Sequence, residues 1–270
     1  MDYYDVAMRD PSSCCAVNPW KGRLALNFKA IPHSNKWIPL PDITRVRRDE
    51  LGVPPCRKFA DGSDYYTLPV LVDPNTGAKV GDSLDIAIYL QKHYPDSGAG
   101  DLFPSQKLDY TLNQDLPLLV PLSEDRHQGD EYAEYSHFNT HVDAAFTAHV
   151  GLMAYTMPFH PDHAEATKAE FLKRAGASSW DDFEVKGEAR QKTMDSFRAM
   201  LGELAQLFTK DSSGPFILGT RATYADLIVG GWLHMARATM PGSEWEEVRS
   251  WHEGVFGRLY DALDKYAAIK

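Results

Sequence analysis

The stretch YTLPVLVDPNTGAKVGDSLDIAIYL, residues 66–90, decides the fold of the first part of this chain. An apolar run, LPVLVD, meets the turn-forming PNTG, and the short segment AKVGD follows, which predicts a β-hairpin. The next segment, SLDIAIYLQKHY, places Leu84, Ala87 and Ile88 along one face at helical spacing. A hairpin that runs directly into a helix therefore closes this part of the chain.

The residues before the hairpin alternate strand and helix patterns. YYDVAM (3–8) and HSNKWIPL (33–40) predict short strands, and NPWKGRLALNFKA (18–30) between them predicts a helix. We expect Asn18 to be its N-cap and Pro19 its first helical residue, because these residue types are preferred there.

A segment rich in Pro, Gly and Ser, PDSGAGDLFPSQ (95–106), predicts a domain boundary. We therefore expect an α/β domain over 1–95 and an all-helical domain over 106–270. In the second domain Phe197, Met200, Leu201, Leu204 and Phe208 form an apolar stripe. ADLIVGGWLHMA (225–236) has no polar face until its end, and predicts a helix at the centre of a bundle.

Composition excludes several classes of function. The 270 residues are 43% hydrophobic and 24% charged with a net charge of −10, which argues against non-specific nucleic-acid binding. The dense basic cluster of Arg45, Arg47 and Arg48 is surrounded by acids and predicts a solvated face. No apolar stretch reaches the length of a membrane span. The N-terminus has no signal-peptide pattern, and three cysteines do not form a disulfide framework, so we expect a cytoplasmic protein.

The order of an α/β half, a linker and a helical half resembles the cytosolic glutathione transferases. That family has a thioredoxin-like domain, a helical bundle and a homodimeric assembly, and its co-substrate is glutathione. In it a cis proline follows the residue whose backbone pairs with the cysteinyl part of glutathione, and an acid–Ser pair at a helix start holds the γ-glutamyl end. Leu68-Pro69 and Asp82-Ser83 stand in those places. A serine at a helix start offers a hydroxyl and free N–H groups to a carboxylate, and Asp82 can pair with an ammonium.

Two further stretches carry the resemblance. Thr223 and Asp226 form a capping box at the start of the predicted central helix, as the family does there for structural reasons. AVNPWKGRLALNFKAIPHSNKWIPLPDI (16–43) is similar to the fungal FuA class, which is related to bacterial β-etherases.

The residue that stabilises the glutathione thiolate lies, in this family, at the start of the first helix. Its Cys classes have Cys-Pro-aromatic with an arginine five residues later, and here Asn18 and Arg23 have that spacing. The resemblance therefore implies Asn18 at the thiolate, while a serine found in FuA-like chains is replaced by Ala16. Cys15 is the alternative, because a thiol near a helix N-terminus can have a lowered pKa.

Other candidate residues follow from the same comparison. Lys58 lies where the family often places a cation for the glycyl carboxylate, and Trp37 is a candidate for lining the same groove. Residues 143–159, DAAFTAHVGLMAYTMPF, predict a hydrophobic ligand groove beside the domain junction. His160 and His163 in HPDH are too few for a metal site, so no metal is expected.

These observations leave three hypotheses for the function. The first is a glutathione transferase that conjugates or reductively processes aromatic or phenolic electrophiles, a detoxification chemistry. The second is a ligandin-like carrier of aromatic small molecules with little turnover, which the missing serine favours. The third is a thiol transferase that uses Cys15.

Overall fold

The computed structural model describes residues 1–10, 14–112, 121–123 and 125–270. The strands are β1 (Asp2–Val6), β2 (Ser34–Ile38), β3 (Arg57–Lys58), β4 (Asp64–Tyr65), β5 (Val70–Val72) and β6 (Lys79–Gly81). The helices are α1 (Val17–Phe28), α2 (Ser83–His93), α3 (Ala133–Thr147), α4 (Ala164–Ala175), α5 (Gly187–Phe208), α6 (Tyr224–Thr239) and α7 (Gly242–Leu263). The expected thioredoxin-like first part and helical second part are therefore both present.

The main sheet has the strand order β2-β1-β5-β6. β2 runs parallel to β1, whereas β5 is antiparallel to both β1 and β6. The β5–β6 pair is the predicted hairpin, and α2 begins two residues after it. Strands β3 and β4 form a separate two-stranded sheet beside this layer.

The two halves share one core in which α1 packs against both α2 and α6. Helix α6 is buried along almost its whole length, and the predicted stripe on α5 is buried too. Gly231 of α6 allows the close approach to α1, because a Cβ there would lie 2.8 Å from Lys21 Cγ and 2.9 Å from the Val17 carbonyl oxygen. Thr223 and Asp226 form the predicted capping box at the start of this helix.

Two predictions from the sequence are wrong. Helix α1 begins at Val17 with Ala16 as its N-cap, so Asn18 is its second residue and Pro19 its third. Arg47 is not part of a solvated face. It is buried and donates to the carbonyl oxygens of Pro54 (2.6 Å) and Thr67 (2.5 Å), whereas Arg45 and Arg48 are exposed. Buried carbonyl groups need donors, and the local sequence gives no sign that Arg47 supplies them.

Candidate functional site

A cavity of about 200 Å³ lies between the two halves of the molecule. The first half contributes the start of α1 and the peptide around the cis Leu68–Pro69 bond. The second half contributes α3, α4, α6 and the segment after α3. Part of the segment 143–159, which was predicted to line a groove, lines this cavity. Its lining residues are Asp143, Thr147, Val150, Met157 and Phe159.

The start of α1 presents free hydrogen-bond donors to the cavity. Trp20 N–H donates to the Ala16 carbonyl at 3.0 Å, so the N–H groups of Val17 and Asn18 precede the first intrahelical bond. Toward the residues that the structure describes, the Asn18 side chain makes no hydrogen bond, and it lines the cavity. Tyr3 fixes this end of the helix by donating to the Pro19 carbonyl at 2.6 Å. This arrangement suits an anion, because helix N-termini carry a partial positive charge.

The two cysteines before the helix are poorly placed to act as thiolates. Cys15 reaches the cavity wall, but burial raises the pKa of its thiol well above the ordinary value, and its Sγ lies 3.7 Å from Met8 Sδ. Burial and the nearby Asp5 carboxylate raise the pKa of Cys14 to about 12. The thiolate is the reactive form of a cysteine, so this geometry favours Asn18 over Cys15 as the functional side chain at the start of α1.

The peptide segment with the cis Leu68–Pro69 bond is supported by the buried side chain of Arg47. Arg47 donates to the Thr67 carbonyl oxygen, and Leu68 is buried. Both Thr67 and Leu68 line the cavity. The backbone proposed to pair with a cysteinyl group is therefore supported by a buried cation.

The acid of the acid–Ser pair caps helix α2 in an unusual conformation. Asp82 Oδ1 accepts from Leu84 N–H at 3.1 Å, and its φ of +89° lies in the left-handed region that favours glycine. Burial works against its charge, but the Arg57 guanidinium together with hydrogen bonds from Ser123 and Leu84 holds its pKa below the usual range. Asp82 is therefore a buried, ionised carboxylate.

Arg57, which sequence reasoning missed, is the cation at this end of the cavity. It donates to Ser123 Oγ at 3.1 Å and to the Pro121 carbonyl at 3.0 Å, and Ser123 donates in turn to Asp82 Oδ2 at 2.8 Å. Ser123 therefore occupies one carboxylate oxygen of Asp82, and neither Asp82 nor Ser83 lines the cavity. Lys58, the predicted cation, is half exposed, pairs with Asp64 and lies outside the cavity lining.

Ser83 is buried at the first turn of α2. Among the described residues its Oγ makes no hydrogen bond of normal geometry, and neither does the Tyr224 hydroxyl beside it. Two orphaned buried hydroxyls in one place leave capacity for polar contacts with a ligand or with each other. Trp37, the other predicted groove residue, packs its ring near Arg23 instead of lining the cavity.

A buried ion pair joins the halves behind the cavity. Lys21 on α1 is inaccessible to solvent, and its Nζ donates to Asp143 Oδ1 (2.5 Å) and Asn139 Oδ1 (2.8 Å) on α3. Trp232 Nε1 on α6 donates to the same Asp143 oxygen at 2.7 Å. Burial lowers the pKa of Lys21, opposed by the Asp143 charge. Three helices thus meet at one carboxylate that also lines the cavity.

Helix α4 forms the opposite wall. Thr167, Phe171 and Arg174 line the cavity at spacings of four and three residues, so they share one helix face. The Arg174 guanidinium donates through Nε to Glu170 (2.8 Å) and through Nη1 to the Tyr66 carbonyl (2.8 Å).

Within residues 1–10, 14–112, 121–123 and 125–270, no cluster of three or more His, Cys, Asp or Glu side chains could hold a metal ion. Over the same residues no helix combines the length and apolar character needed to span a bilayer.

The fold and this cavity define a glutathione transferase, and the chain belongs to that family. Residues 17–93 match the family model of the glutathione S-transferase N-terminal domain, and residues 136–266 match that of the C-terminal domain.

Solved structures of fungal members are similar over nearly the full length. A glutathione S-transferase of Ceriporiopsis subvermispora, solved in complex with glutathione, is 27% identical with a TM-score of 0.80, and the match covers 100% of this chain and 98% of that one. Glutathione transferase GSTFuA2 from Phanerochaete chrysosporium is 26% identical with a TM-score of 0.76, with the same coverage. Among curated proteins, the glutathione S-transferase-like protein ustS of Aspergillus flavus is 25% identical over 97% of this chain and 89% of its own length.

Proposed function

We propose that this protein binds glutathione in the cavity and transfers it to aromatic electrophiles, as a transferase of the fungal FuA type. The observation that carries the proposal is that the free N–H groups of α1, the Asn18 amide and the cis Leu68–Pro69 peptide open on one cavity whose far walls are apolar. The first three supply an anion site and a backbone docking edge. The apolar walls supply a place for an aromatic ring.

In this proposal the glutathione sulfur lies at the start of α1. Asn18 donates its side-chain amide to the thiolate, and the partial positive charge of the helix lowers the pKa of the thiol. The thiolate attacks the electrophilic carbon, the C–S bond forms as the bond to the leaving group breaks, and the thiol proton passes to solvent.

The two buried charges meet the γ-glutamyl end of the tripeptide. Ser123 Oγ bridges Arg57 (3.1 Å) and Asp82 (2.8 Å), so Arg57, which lines the cavity, takes the γ-glutamyl α-carboxylate beside the ammonium. Asp82 and Ser83 take the γ-glutamyl group, for which Ser123 must give up its hydrogen bond to Asp82. In this proposal the ligand ammonium therefore replaces the Ser123 hydroxyl as a donor to Asp82.

The test compares Asn18→Ala with Cys15→Ala. Conjugation of 1-chloro-2,4-dinitrobenzene should fall by one to two orders of magnitude in Asn18→Ala, because one preorganised donor to an anion contributes about 2.7–4 kcal/mol in the strongest cases. Cys15→Ala should stay within a few-fold of wild type. Since Asn18 does not cap α1, its substitution should leave the melting temperature nearly unchanged. The reverse pattern, or a glutathione adduct on Cys15 in mass spectrometry, would establish the thiol mechanism instead.

A second candidate is a carrier that binds aromatic molecules with little turnover. Ala16 at the position of the FuA-like serine favours it. Polycyclic phenols that raise the melting temperature, together with no turnover across a panel of electrophiles, would establish the carrier.

A further inference from the structure

The electrophile side of the cavity is mostly apolar but contains one charged side chain that the family resemblance does not assign. Arg174 lines the cavity, although its side chain is only 6% exposed. A buried guanidinium in an apolar wall needs partners for its five N–H groups.

The existing contacts of Arg174 leave one edge of the guanidinium unused. Nε is bound to Glu170 and Nη1 to the Tyr66 carbonyl, each at 2.8 Å, while Nη2 has no hydrogen bond with the described residues. The guanidinium carbon lies 5.2 Å from the centroid of the Tyr65 ring, which also lines the cavity. The guanidinium is thus fixed in orientation before any ligand binds.

The other charges near the cavity are already neutralised. Asp143 is paired with Lys21, and Arg57 is bound to Ser123 and the Pro121 carbonyl. Glu170 is paired with Arg174 but does not line the cavity. Glu170 likewise neutralises the Arg174 charge, so what Arg174 keeps for a ligand is the Nη2 group, which has no hydrogen bond with the described residues.

We infer that Arg174 is a specificity residue that selects aromatic electrophiles carrying a carboxylate. The aromatic ring packs against Phe171 and Phe159, and the carboxylate accepts from Nη2, with the Thr167 hydroxyl on the same helix face as a second donor. This inference rests on the proposed function, since it names the substrate class of that site.

The experiment uses 4-(bromomethyl)benzoate and its methyl ester, which differ in charge at the ring position opposite the reacting carbon. Glutathione thiolate displaces bromide from each, forming one C–S bond and breaking one C–Br bond. Wild type should have a higher kcat/KM for the acid than for the ester. In Arg174→Gln the ratio of these two kcat/KM values should fall at least tenfold, because the loss of a hydrogen bond to a charged group has an effect of about that size. Lys173→Gln, on the exposed face of the same helix, is the matched control and should keep the preference.

Three outcomes would overturn the inference. If Arg174→Gln slows the acid and the ester equally, Arg174 only supports the fold through Tyr66. If the variant weakens glutathione binding in calorimetry while the acid preference is kept, the carboxylate bound is the glycyl one of glutathione. If wild type shows no preference for the acid, no carboxylate is selected.

Failure of the proposed function gives a different result. Binding of unreactive 4-methylbenzoate, measured by calorimetry without glutathione, tests the arginine site alone. A protein that turns over neither bromide, yet binds 4-methylbenzoate in wild type and loses it in Arg174→Gln, would refute the transferase and retain the carboxylate site.

Discussion

Breaking the buried Lys21–Asp143 pair should destabilise the whole molecule. Asp143→Ala leaves a lysine ammonium that is inaccessible to solvent without its counter-charge, and Lys21→Met leaves the carboxylate. Loss of one partner of a buried pair costs about 3–5 kcal/mol. That cost is a large part of the free energy of unfolding of a typical protein, which is roughly 5–15 kcal/mol.

The double variant separates the ion pair from simple packing. Independent effects would sum to about 6–10 kcal/mol, but removing both charges leaves no unpaired ion. The remaining cost is that of neutral polar groups, the Trp232 N–H without its acceptor, about 1–3 kcal/mol, and the Asn139 amide without its two partners, together with lost packing. We therefore expect Lys21→Met/Asp143→Ala to be no less stable than either single variant.

Urea unfolding followed by tryptophan fluorescence and by circular dichroism measures these free energies. The exposed pair Glu188–Lys192 on α5 is the matched control, and its single substitutions should change stability by less than about 0.5 kcal/mol. Single variants of the buried pair that cost less than about 1 kcal/mol, or a double variant whose cost is the sum of the two, would refute the reasoning.

Two other substitutions test the helix contact and the covered acid. Gly231→Ala should lower the free energy of unfolding by about 1–3 kcal/mol despite its better helix propensity, because the added Cβ would meet α1. Gly242→Ala, the control, places its Cβ in open space and should be neutral or stabilising. Equal melting temperatures for the two variants would contradict this. Ser123→Ala should tighten glutathione binding several-fold in calorimetry, because it removes the hydrogen bonds that Ser123 makes with Arg57 and Asp82. An unchanged or weaker affinity would show that Ser123 does not compete with the ligand.

Local patterns predicted the elements well. The hairpin, the capping box at Thr223 and the buried α6 follow from a few neighbouring residues, and all three are present. The predicted start of α1 was wrong by two residues, because the first intrahelical hydrogen bond runs from Trp20 N–H to the Ala16 carbonyl.

Residues whose role depends on distant partners were not predicted. Lys21 and Asp143 are 122 positions apart, so no window along the chain pairs them. Arg57 and Lys58 are adjacent cations on a two-residue strand, and only their opposite orientation decides which one faces the cavity. Arg57 is the cross-strand partner of Tyr65, which also lines the cavity, whereas Lys58 is paired with Asp64, and this register becomes visible only in the structure. Asn18 and the acid–Ser pair remain predictions that rest on the family resemblance and this geometry.

The cavity draws one wall from a single short helix, α4, and this has a consequence for how such a protein can change over time. Thr167, Phe171 and Arg174 face the cavity, while neighbours such as Glu165, Lys168 and Lys173 face outward. Exchanges at three codons therefore change this wall without altering any residue at the start of α1. A combinatorial library at those three positions offers a compact route to new substrate ranges on an unchanged scaffold.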